Sequence, residues 1–447
     1  MDHRSWYRCL WVMLSVMFIA SCGGGGGDSI VTTISGPGLN NLGLSPEVRL
    51  PSAFVQTDNN LQVVVDEGPV RNFASISANV LFATVTVCAP GDASRCQTID
   101  HVQVDTGSVG LRILASKVNS LGLPAVPVPS GAAYECYPFV IGGLWGPTAV
   151  ADVRLGRQVA GSVPVQLIMD SGVAGPPAPP DCVKASGGSV LSSVDQLGSN
   201  GILGIGSTTM DCGLLCAQGQ YPDFVQYYSC PTGAIDPNDC VATDMPENSQ
   251  VFNPVAAFTS HNNGVVIDLP AVPWPGAGKA WGELIFGINT GTNNQQPVMP
   301  PILLGMDWLN KPLSYLNITT QYAGRDIAQS YLDTGTNGLF FAADAGIDVC
   351  LAGSWYCPAK TVSRTADLSD GDVLGRNRVT VGFQVGNAEA LFTTQNTAFG
   401  ELAGVPPAAN TFAWGLPFFF GKKVFLSIWN PMSQNTASNN LPWYAWK

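Results

Sequence analysis

The feature that most constrains the fold of this chain is a short motif that occurs twice, once in each half. Residues 105–108 read Asp-Thr-Gly-Ser, and residues 333–336 read Asp-Thr-Gly-Thr. Each copy follows a run rich in β-branched and apolar residues, which favours a strand, and each precedes a further apolar stretch. A repeat of this kind predicts an internal duplication in which two similar β units face each other.

A second pair of matched segments follows these motifs. Residues 202–204 read Ile-Leu-Gly and residues 413–415 read Ala-Trp-Gly, at comparable distances after the first and the second motif. Only 12% of the residues are charged, whereas the chain contains 50 glycines and 33 prolines. This composition favours short strands joined by turns over long helices. The sequence therefore predicts an all-β protein with two similar lobes.

Asp105 and Asp333 are the candidates for a catalytic pair. Two carboxylates held close together cannot both ionise cheaply, so they share one proton. The ionised partner can accept a proton from a bound water, and the protonated partner can donate a hydrogen bond to the carbonyl that the water attacks. The alternative is that both motifs are Asx-type turns at strand ends.

The other residues of the two motifs are expected to support this pair. The glycines allow a tight turn that brings backbone N–H groups to the carboxylates, and the hydroxyls that follow can donate to the outer carboxylate oxygens. The two threonines would face each other beneath the pair and fix its geometry. These supporting residues are Thr106, Gly107, Ser108, Thr334, Gly335 and Thr336.

At these motifs the chain resembles the pepsin-like aspartic peptidases, and the resemblance extends over most of residues 70–430. It implies a bilobal acid-protease fold with two β-barrel-like lobes, a central cleft and endopeptidase activity. Segments 200–206 and 414–426 resemble the stretches of that family that pass behind the two aspartate loops. Segment 151–156 resembles the strand and turn after the family's flap.

Two positions depart from the pattern of this family. Tyr137 is the best candidate for its flap tyrosine, but Cys136 and Pro138 flank it. Arg112 stands where the family usually has a tryptophan that supports the flap tyrosine. The altered flap favours an alternative function, a non-catalytic peptide- or protein-binding lipoprotein on the same fold, whereas retention of both motifs favours an enzyme.

The first residues predict export. Residues 1–21 form a signal peptide with Arg4 and Arg8 at its positive end and an apolar stretch over residues 10–20. That stretch is too short to cross a bilayer comfortably.

Residues 19–22, Ile-Ala-Ser-Cys, resemble the cleavage site of bacterial lipoproteins. The resemblance implies acylation of Cys22, and the five glycines at 23–27 would form a flexible tether to the lipid bilayer. Glycine rather than aspartate after Cys22 implies the outer membrane, at its periplasmic or surface face. The alternative is an ordinary signal peptide in which Cys22 is incidental. The lipobox together with the peptidase-like core also resembles a family of bacterial lipoproteins.

Four regions are predicted along the chain. The signal peptide covers 1–21, and the acylated cysteine, tether and linker cover 22–65. An N-terminal β lobe covers 66–250 and carries a disulfide-rich insertion at 207–250. A C-terminal β lobe covers 251–447. We expect a monomer.

Ten cysteines remain when Cys9 and Cys22 are set aside, and an exported chain favours up to five disulfides among them. Two pairs are close enough in sequence to close small loops, namely Cys88 with Cys96 and Cys350 with Cys357. Four more cluster in the insertion, where a four-thiolate zinc site is the alternative to disulfides. These are Cys212, Cys216, Cys230 and Cys240.

Composition also disfavours other classes of function. The net charge is −12 with only 20 Lys and Arg, so a nucleic-acid partner is not expected. The chain has three histidines, too few for a Ser/His triad or a histidine metal site, and we expect neither a metal nor a cofactor. Asp170 begins an Asp-Ser-Gly that we interpret as a turn at a strand end. The expected partners are a peptide or protein substrate and the lipid bilayer.

Overall fold

A computed structural model describes residues 46–70, 78–171, 173–219, 226–305, 317–351, 353–371, 377–429 and 441–447. The predicted signal peptide, Cys22 and the glycine tether lie outside these residues, as does Gly172. Among the helices of the described residues, none has the length and apolar character needed to cross a membrane.

The described residues form mainly short strands. The strands of the first half are β1 Glu47–Arg49, β2 Asn60–Val65, β3 Leu81–Cys88, β4 Cys96–Asp105, β5 Val109–Leu114, β6 Pro127–Val128, β7 Gly131–Phe139, β8 Gly142–Leu155, β9 Gln158–Ile168, β10 Gly201–Ile205, β11 Tyr227–Cys230 and β12 Val241–Ala242. Those of the second half are β13 Gly264–Asp268, β14 Lys279–Phe286, β15 Ile302–Leu303, β16 Ile318–Tyr322, β17 Arg325–Leu332, β18 Leu339–Phe340, β19 Val362–Ser369, β20 Arg378–Val385, β21 Ala403–Gly404, β22 Thr411–Trp414, β23 Lys423–Ser427 and β24 Trp443–Trp446.

The helices are short and lie between strands. They are α1 Pro180–Ala185, α2 Val194–Leu197, α3 Leu214–Ala217 and α4 Ala388–Phe392.

Six strands of the first half close on themselves. Following the pairings, β3 joins β4, β4 joins β10, β10 joins β5, β5 joins β9, β9 joins β8, and β8 returns to β3. Closure leaves no unpaired edge in this ring, which is how a barrel avoids exposed edge strands. The first lobe is therefore a small β barrel.

The second half contributes a seven-stranded sheet in the order β20-β19-β16-β17-β22-β18-β21. Strands from both halves form a further sheet, in which β2 lies between β3 and β14, and β14 continues through β13 and β23 to β24. The predicted all-β, two-lobed architecture is confirmed.

One hydrophobic cluster runs through both lobes, and its aromatic part lies in the second. Phe341 is fully buried and stacks on Phe412 with ring centroids 5.0 Å apart. Phe412 stacks in turn on Trp414 at 4.3 Å, and the Trp414 indole N–H donates to Thr320 Oγ1 at 3.0 Å. Trp414 ends β22, so this packing fixes the strand that supports Asp333.

The ten cysteines of the described residues form five disulfides, as the sequence predicted. The two small loops close as expected, through Cys88–Cys96 and Cys350–Cys357. In the insertion, Cys212 pairs with Cys216 and Cys230 with Cys240, so these thiols are bonded to each other. The fifth bond, Cys136–Cys182, joins β7 to α1, and the spacing in the sequence did not predict it.

Truncation of the aromatic core should destabilise the whole protein. We expect Phe341→Ala to lower the free energy of unfolding by about 3–5 kcal/mol, because it leaves a cavity among stacked rings. Val349→Ala is the control, since that side chain is 46% exposed and its truncation should cost less than about 0.5 kcal/mol. Denaturant unfolding measures both, and equal losses would contradict the proposed core.

Candidate active site

The first aspartate loop is held by a strand that passes behind it. β4 ends at Asp105, the chain turns, and β5 returns, while β10 lies between them, parallel to β4 and antiparallel to β5. Gly204 pairs with Asp105, and a Cβ added to Gly204 would lie 2.6 Å from the Val109 nitrogen. Only glycine allows this approach. The segment at 200–206 thus occupies the predicted place.

The second half repeats the arrangement. β17 ends at Leu332, and β22 lies parallel to β17 and antiparallel to β18. Gly415 follows β22, and a Cβ there would collide with the carbonyl oxygens of Gly338 and Thr336. The Asp333 N–H donates to the Trp414 carbonyl at 3.0 Å. The matched glycines in the sequence therefore reflect the same requirement in each lobe.

The two loops are joined by reciprocal hydrogen bonds. The Thr106 N–H donates to Thr334 Oγ1 at 3.1 Å, and the Thr334 N–H donates to Thr106 Oγ1 at 3.0 Å. The Thr334 hydroxyl also donates to the Val104 carbonyl at 2.7 Å. Thr106 and Thr334 are buried, so each bond satisfies a group that water cannot reach. The predicted contact between the two threonines is confirmed.

Each carboxylate accepts one backbone and one hydroxyl hydrogen bond. Asp105 Oδ1 accepts from the Gly107 N–H at 2.8 Å, and Asp105 Oδ2 accepts from Ser108 Oγ at 2.5 Å. Asp333 Oδ1 accepts from the Gly335 N–H at 2.7 Å. Asp333 Oδ2 accepts from Thr336 Oγ1 at 2.6 Å. All six supporting residues therefore lie where the sequence predicted.

The carboxyl groups of Asp105 and Asp333 meet between the lobes and are hydrogen-bonded to each other. Both residues are less than a tenth exposed. Burial, the nearby charge of Asp105 and the hydrogen bond between the two groups raise the pKa of Asp333 well above its ordinary value. A pair of this kind shares one proton between its two carboxyl groups.

Glycine is required in both motifs because each loop approaches the aspartate of the other. A Cβ on Gly335 would lie 2.5 Å from Asp105 Oδ1, and a Cβ on Gly107 would lie 2.8 Å from Asp333 Cγ. Both distances are shorter than a van der Waals contact, so any side chain at position 107 or 335 would push the carboxyl groups apart. The motif glycines thus set how close the two lobes come.

Tyr137 lies on β7 in the β7–β8 hairpin, opposite Leu144. Its ring is half-buried, and burial raises the pKa of its hydroxyl, with a smaller contribution from the charge of Asp105. Arg112 lies under the ring, with its Cζ 3.7 Å from the ring centroid. The arginine that stands where a tryptophan was expected therefore contacts the candidate flap tyrosine.

Several residues near the site carried no signal in the sequence. Tyr444 donates its hydroxyl to the Leu332 carbonyl at 2.8 Å, next to Asp333. Gln103 Nε2 donates to the Gly335 carbonyl at 3.2 Å, across the lobe boundary. Contacts of this kind join positions far apart in the chain, so no local pattern could indicate them.

The rival candidates take structural roles. Asp170 follows β9 and accepts from the Ser116 N–H at 3.2 Å and from the Ser116 hydroxyl, as a turn residue does. His101 lies in β4 between the carboxylates of Asp66 and Asp100, at 3.3 and 3.0 Å. These ion pairs raise the pKa of His101 and lie apart from the motif loops.

Metal-binding chemistry has little support in the described residues. Cys350, Cys357 and Glu389 form the one group of potential ligands that lie within reach of each other there. The two sulfurs are bonded in a disulfide, so neither is a thiolate that could bind an ion.

Comparison with known proteins gives the family of the chain. A family model described as a protein of unknown function (DUF3443) matches residues 55–446, which include both aspartate motifs. The chain belongs to this family. The comparison with curated proteins found no match. Among solved structures, the chain is similar to the crystal structure of aspartic proteinase from Irpex lacteus. The identity is 14% and the TM-score 0.44, over 86% of this chain and 96% of that one.

The threonine contact gives a test of how the loops are held. Thr334→Val keeps the shape but removes the hydroxyl, and so leaves the Thr106 N–H and the Val104 carbonyl buried without that partner. We expect the free energy of unfolding to fall by about 1–3 kcal/mol. Thr334→Ser keeps the hydroxyl, so its free energy of unfolding should fall by only about 1 kcal/mol or less. Equal losses would show that the hydrogen bonds contribute nothing.

The carboxyl pair also predicts how stability depends on pH. The folded protein keeps a proton on Asp333 that the unfolded chain releases near pH ~4, so this group makes stability fall as pH rises above that value. Asp333→Asn cannot release a proton. We expect the variant to be more stable than wild type at neutral pH by about 1–3 kcal/mol, with the difference vanishing near pH ~4. Urea unfolding between these pH values measures it, and a constant difference would contradict the shared proton.

Proposed function

We propose that the protein is an aspartic endopeptidase. The observation that carries this proposal is the carboxyl pair itself: two buried aspartates, at matching strand ends of two lobes, hydrogen-bonded and holding one proton. The reciprocal threonine bonds and the motif glycines fix its geometry before substrate arrives. Such preorganisation is what general acid–base catalysis requires.

The resting arrangement assigns a role to each carboxyl group. The raised pKa of Asp333 makes it the acid of the pair, and Asp105 is the base that accepts a proton from a water held between the two groups. The water oxygen then bonds to the carbonyl carbon of the peptide, and Asp333 donates its proton to the carbonyl oxygen. The product is a neutral gem-diol, with the proton now on Asp105.

The second step restores the enzyme. Asp105 donates its proton to the peptide nitrogen while Asp333 takes one from a gem-diol hydroxyl. The carbon–nitrogen bond breaks, an amine and a carboxylic acid leave, and the proton is again on Asp333. No covalent intermediate with the protein is formed.

A substrate would bind as an extended strand beneath the β7–β8 hairpin. The turn residues of this hairpin, Val140 and Ile141, are 74% and 60% exposed, so the hairpin presents apolar side chains at its tip. Binding of a peptide along a strand uses main-chain hydrogen bonds for affinity and alternate side chains for selection. An unfolded or flexible segment of a protein fits these requirements.

We further propose that the protein is a lipoprotein of the outer membrane, at its periplasmic or surface face. The support is the sequence alone, namely the signal peptide, the lipobox ending at Cys22 and the glycine tether. An acyl group on Cys22 would hold the catalytic lobes near the bilayer.

Hydrolysis of a denatured protein at mildly acidic pH tests the peptidase proposal. Asp105→Asn and Asp333→Asn should each lower kcat by at least about a thousandfold, because each removes a group that moves a proton. A statine-type inhibitor should block the wild type. Asp170→Asn is the matched control, because Asp170 begins a similar Asp-Ser-Gly motif but lies outside the proposed catalytic pair. This variant should keep turnover within about twofold of wild type.

The same assay can contradict the proposal. Wild-type protein that is folded, binds an extended peptide and cleaves nothing would favour the non-catalytic binding protein. Activity that persists in both Asn variants would exclude this pair as the source of catalysis.

A further inference from the structure

The residue that carries a further inference is Arg112, whose side chain is fully buried in β5. Its guanidinium donates to Glu135 Oε1 at 2.8 Å, to Asp211 Oδ2 at 2.7 Å and to the Val109 carbonyl at 2.6 Å. A buried charge is costly unless its partners are close and well oriented. An arginine at this position therefore needs a cluster built around it, and a buried apolar residue would need none.

The open face of this guanidinium lies against Tyr137. The distance of 3.7 Å from Cζ to the ring centroid is that of a cation in direct contact with the aromatic face. Such contacts are strongest where water is excluded, as it is around Arg112. The Tyr137 ring thus rests on a cation that cannot move without breaking its hydrogen bonds to Glu135 and Asp211.

The predicted insertion fixes this cation. Asp211 belongs to the insertion, and the hydroxyl of Tyr227 donates to Asp211 Oδ1 at 2.8 Å. Gln226 Nε2 donates to Glu135 Oε1 at 3.2 Å. β11 also pairs with β7 on the flap hairpin, with Tyr227 opposite Glu135. Residues 207–250 therefore contact both the carboxylates and the backbone of the flap.

The charges of this cluster balance when one carboxyl group is protonated. Burial and the neighbouring Glu135 raise the pKa of Asp211 well above its ordinary value, so Asp211 holds a proton and bonds to Glu135. One anion and one cation then remain, next to the two tyrosines. A neutral cluster of this kind can persist in the interior, where an unbalanced one would not.

Three more contacts hold the same hairpin. Cys136, adjacent to Tyr137, is bonded to Cys182 of α1. At the hairpin turn, the Gly143 N–H donates to the Ser189 carbonyl and the Leu191 N–H donates to the Gly143 carbonyl, both at 2.8 Å. The hairpin is thus anchored near its turn and along one side, and Arg112 supports the Tyr137 ring.

We propose that Arg112 is a positioning residue that acts through Tyr137, and that the insertion at 207–250 fixes the flap tyrosine over the carboxyl pair through it. This inference rests on the proposed peptidase function. Placement of the ring matters only while the substrate is being converted, so loss of the support affects kcat more than KM.

A double-mutant cycle tests the proposal. Arg112→Met alone would leave buried carboxylates without a cation, so it is combined with Glu135→Gln and Asp211→Asn in a neutral triple variant. We expect this variant to lower kcat about tenfold, with KM within about twofold. Tyr137→Ala should lower kcat at least as much, and adding the triple change to it should cause no further loss. Arg157→Met, an exposed arginine, is the control and should change nothing.

A second measurement does not depend on activity. Hydrogen exchange should be about tenfold faster in the triple variant at the amides of residues 131–155, and unchanged in the second lobe. If the triple variant does not fold, Tyr227→Phe replaces it, because it removes only the hydroxyl that joins the insertion to Asp211. We expect a smaller change in the same direction for both kcat and exchange.

The outcomes separate the two proposals. If the combined variant loses kcat by the product of the losses in the triple variant and in Tyr137→Ala, Arg112 does not act through Tyr137. Flap exchange that stays at the wild-type rate would overturn the inference whether or not the protein is an enzyme. Faster flap exchange in a protein that cleaves nothing would support Arg112 as the support of Tyr137 and contradict only the peptidase function.

Discussion

The contact between the two aspartate loops is the constraint on which the rest of the structure depends. Each loop begins with an aspartate at the end of a strand. Burying two such carboxyl groups side by side is unfavourable unless they share a proton and every oxygen accepts a hydrogen bond. The motif supplies those donors within four residues, through a glycine N–H and a hydroxyl. The threonines then bond across the boundary and hold the lobes in register.

The surrounding fold provides rigidity behind these loops. In each lobe a strand passes between the two arms of the loop and is buried along its length, β10 in the first and β22 in the second. The stacked rings of Phe412 and Trp414 support the second of these strands. A further sheet contains strands from both halves, so the lobes cannot separate without breaking main-chain hydrogen bonds. Preorganisation at the site is thus a property of the whole architecture.

The described residues include two buried carboxyl pairs, and their surroundings give them different properties. Within the described residues, Asp105 and Asp333 accept hydrogen bonds from backbone N–H groups and hydroxyls rather than from cations. Glu135 and Asp211 both accept hydrogen bonds from Arg112, whose guanidinium also contacts Tyr137. The same residue type therefore forms the proposed reactive site in one place and a structural support in the other, and the nearby charge makes the difference.

The sequence by itself determined the all-β character of the chain, the duplication, the aspartate pair with its six supporting residues, and the strands behind the loops. These depend on motifs whose parts lie within a few residues of each other, where glycine and hydroxyl requirements are local. Only the tertiary structure decided that Arg112 contacts Tyr137, that Asp211 of the insertion accepts a hydrogen bond from Arg112, and that Cys136 bonds to Cys182. Those contacts join residues 25 to 99 positions apart. Their pairing follows from how the strands fold together, and no local pattern in the chain encodes it.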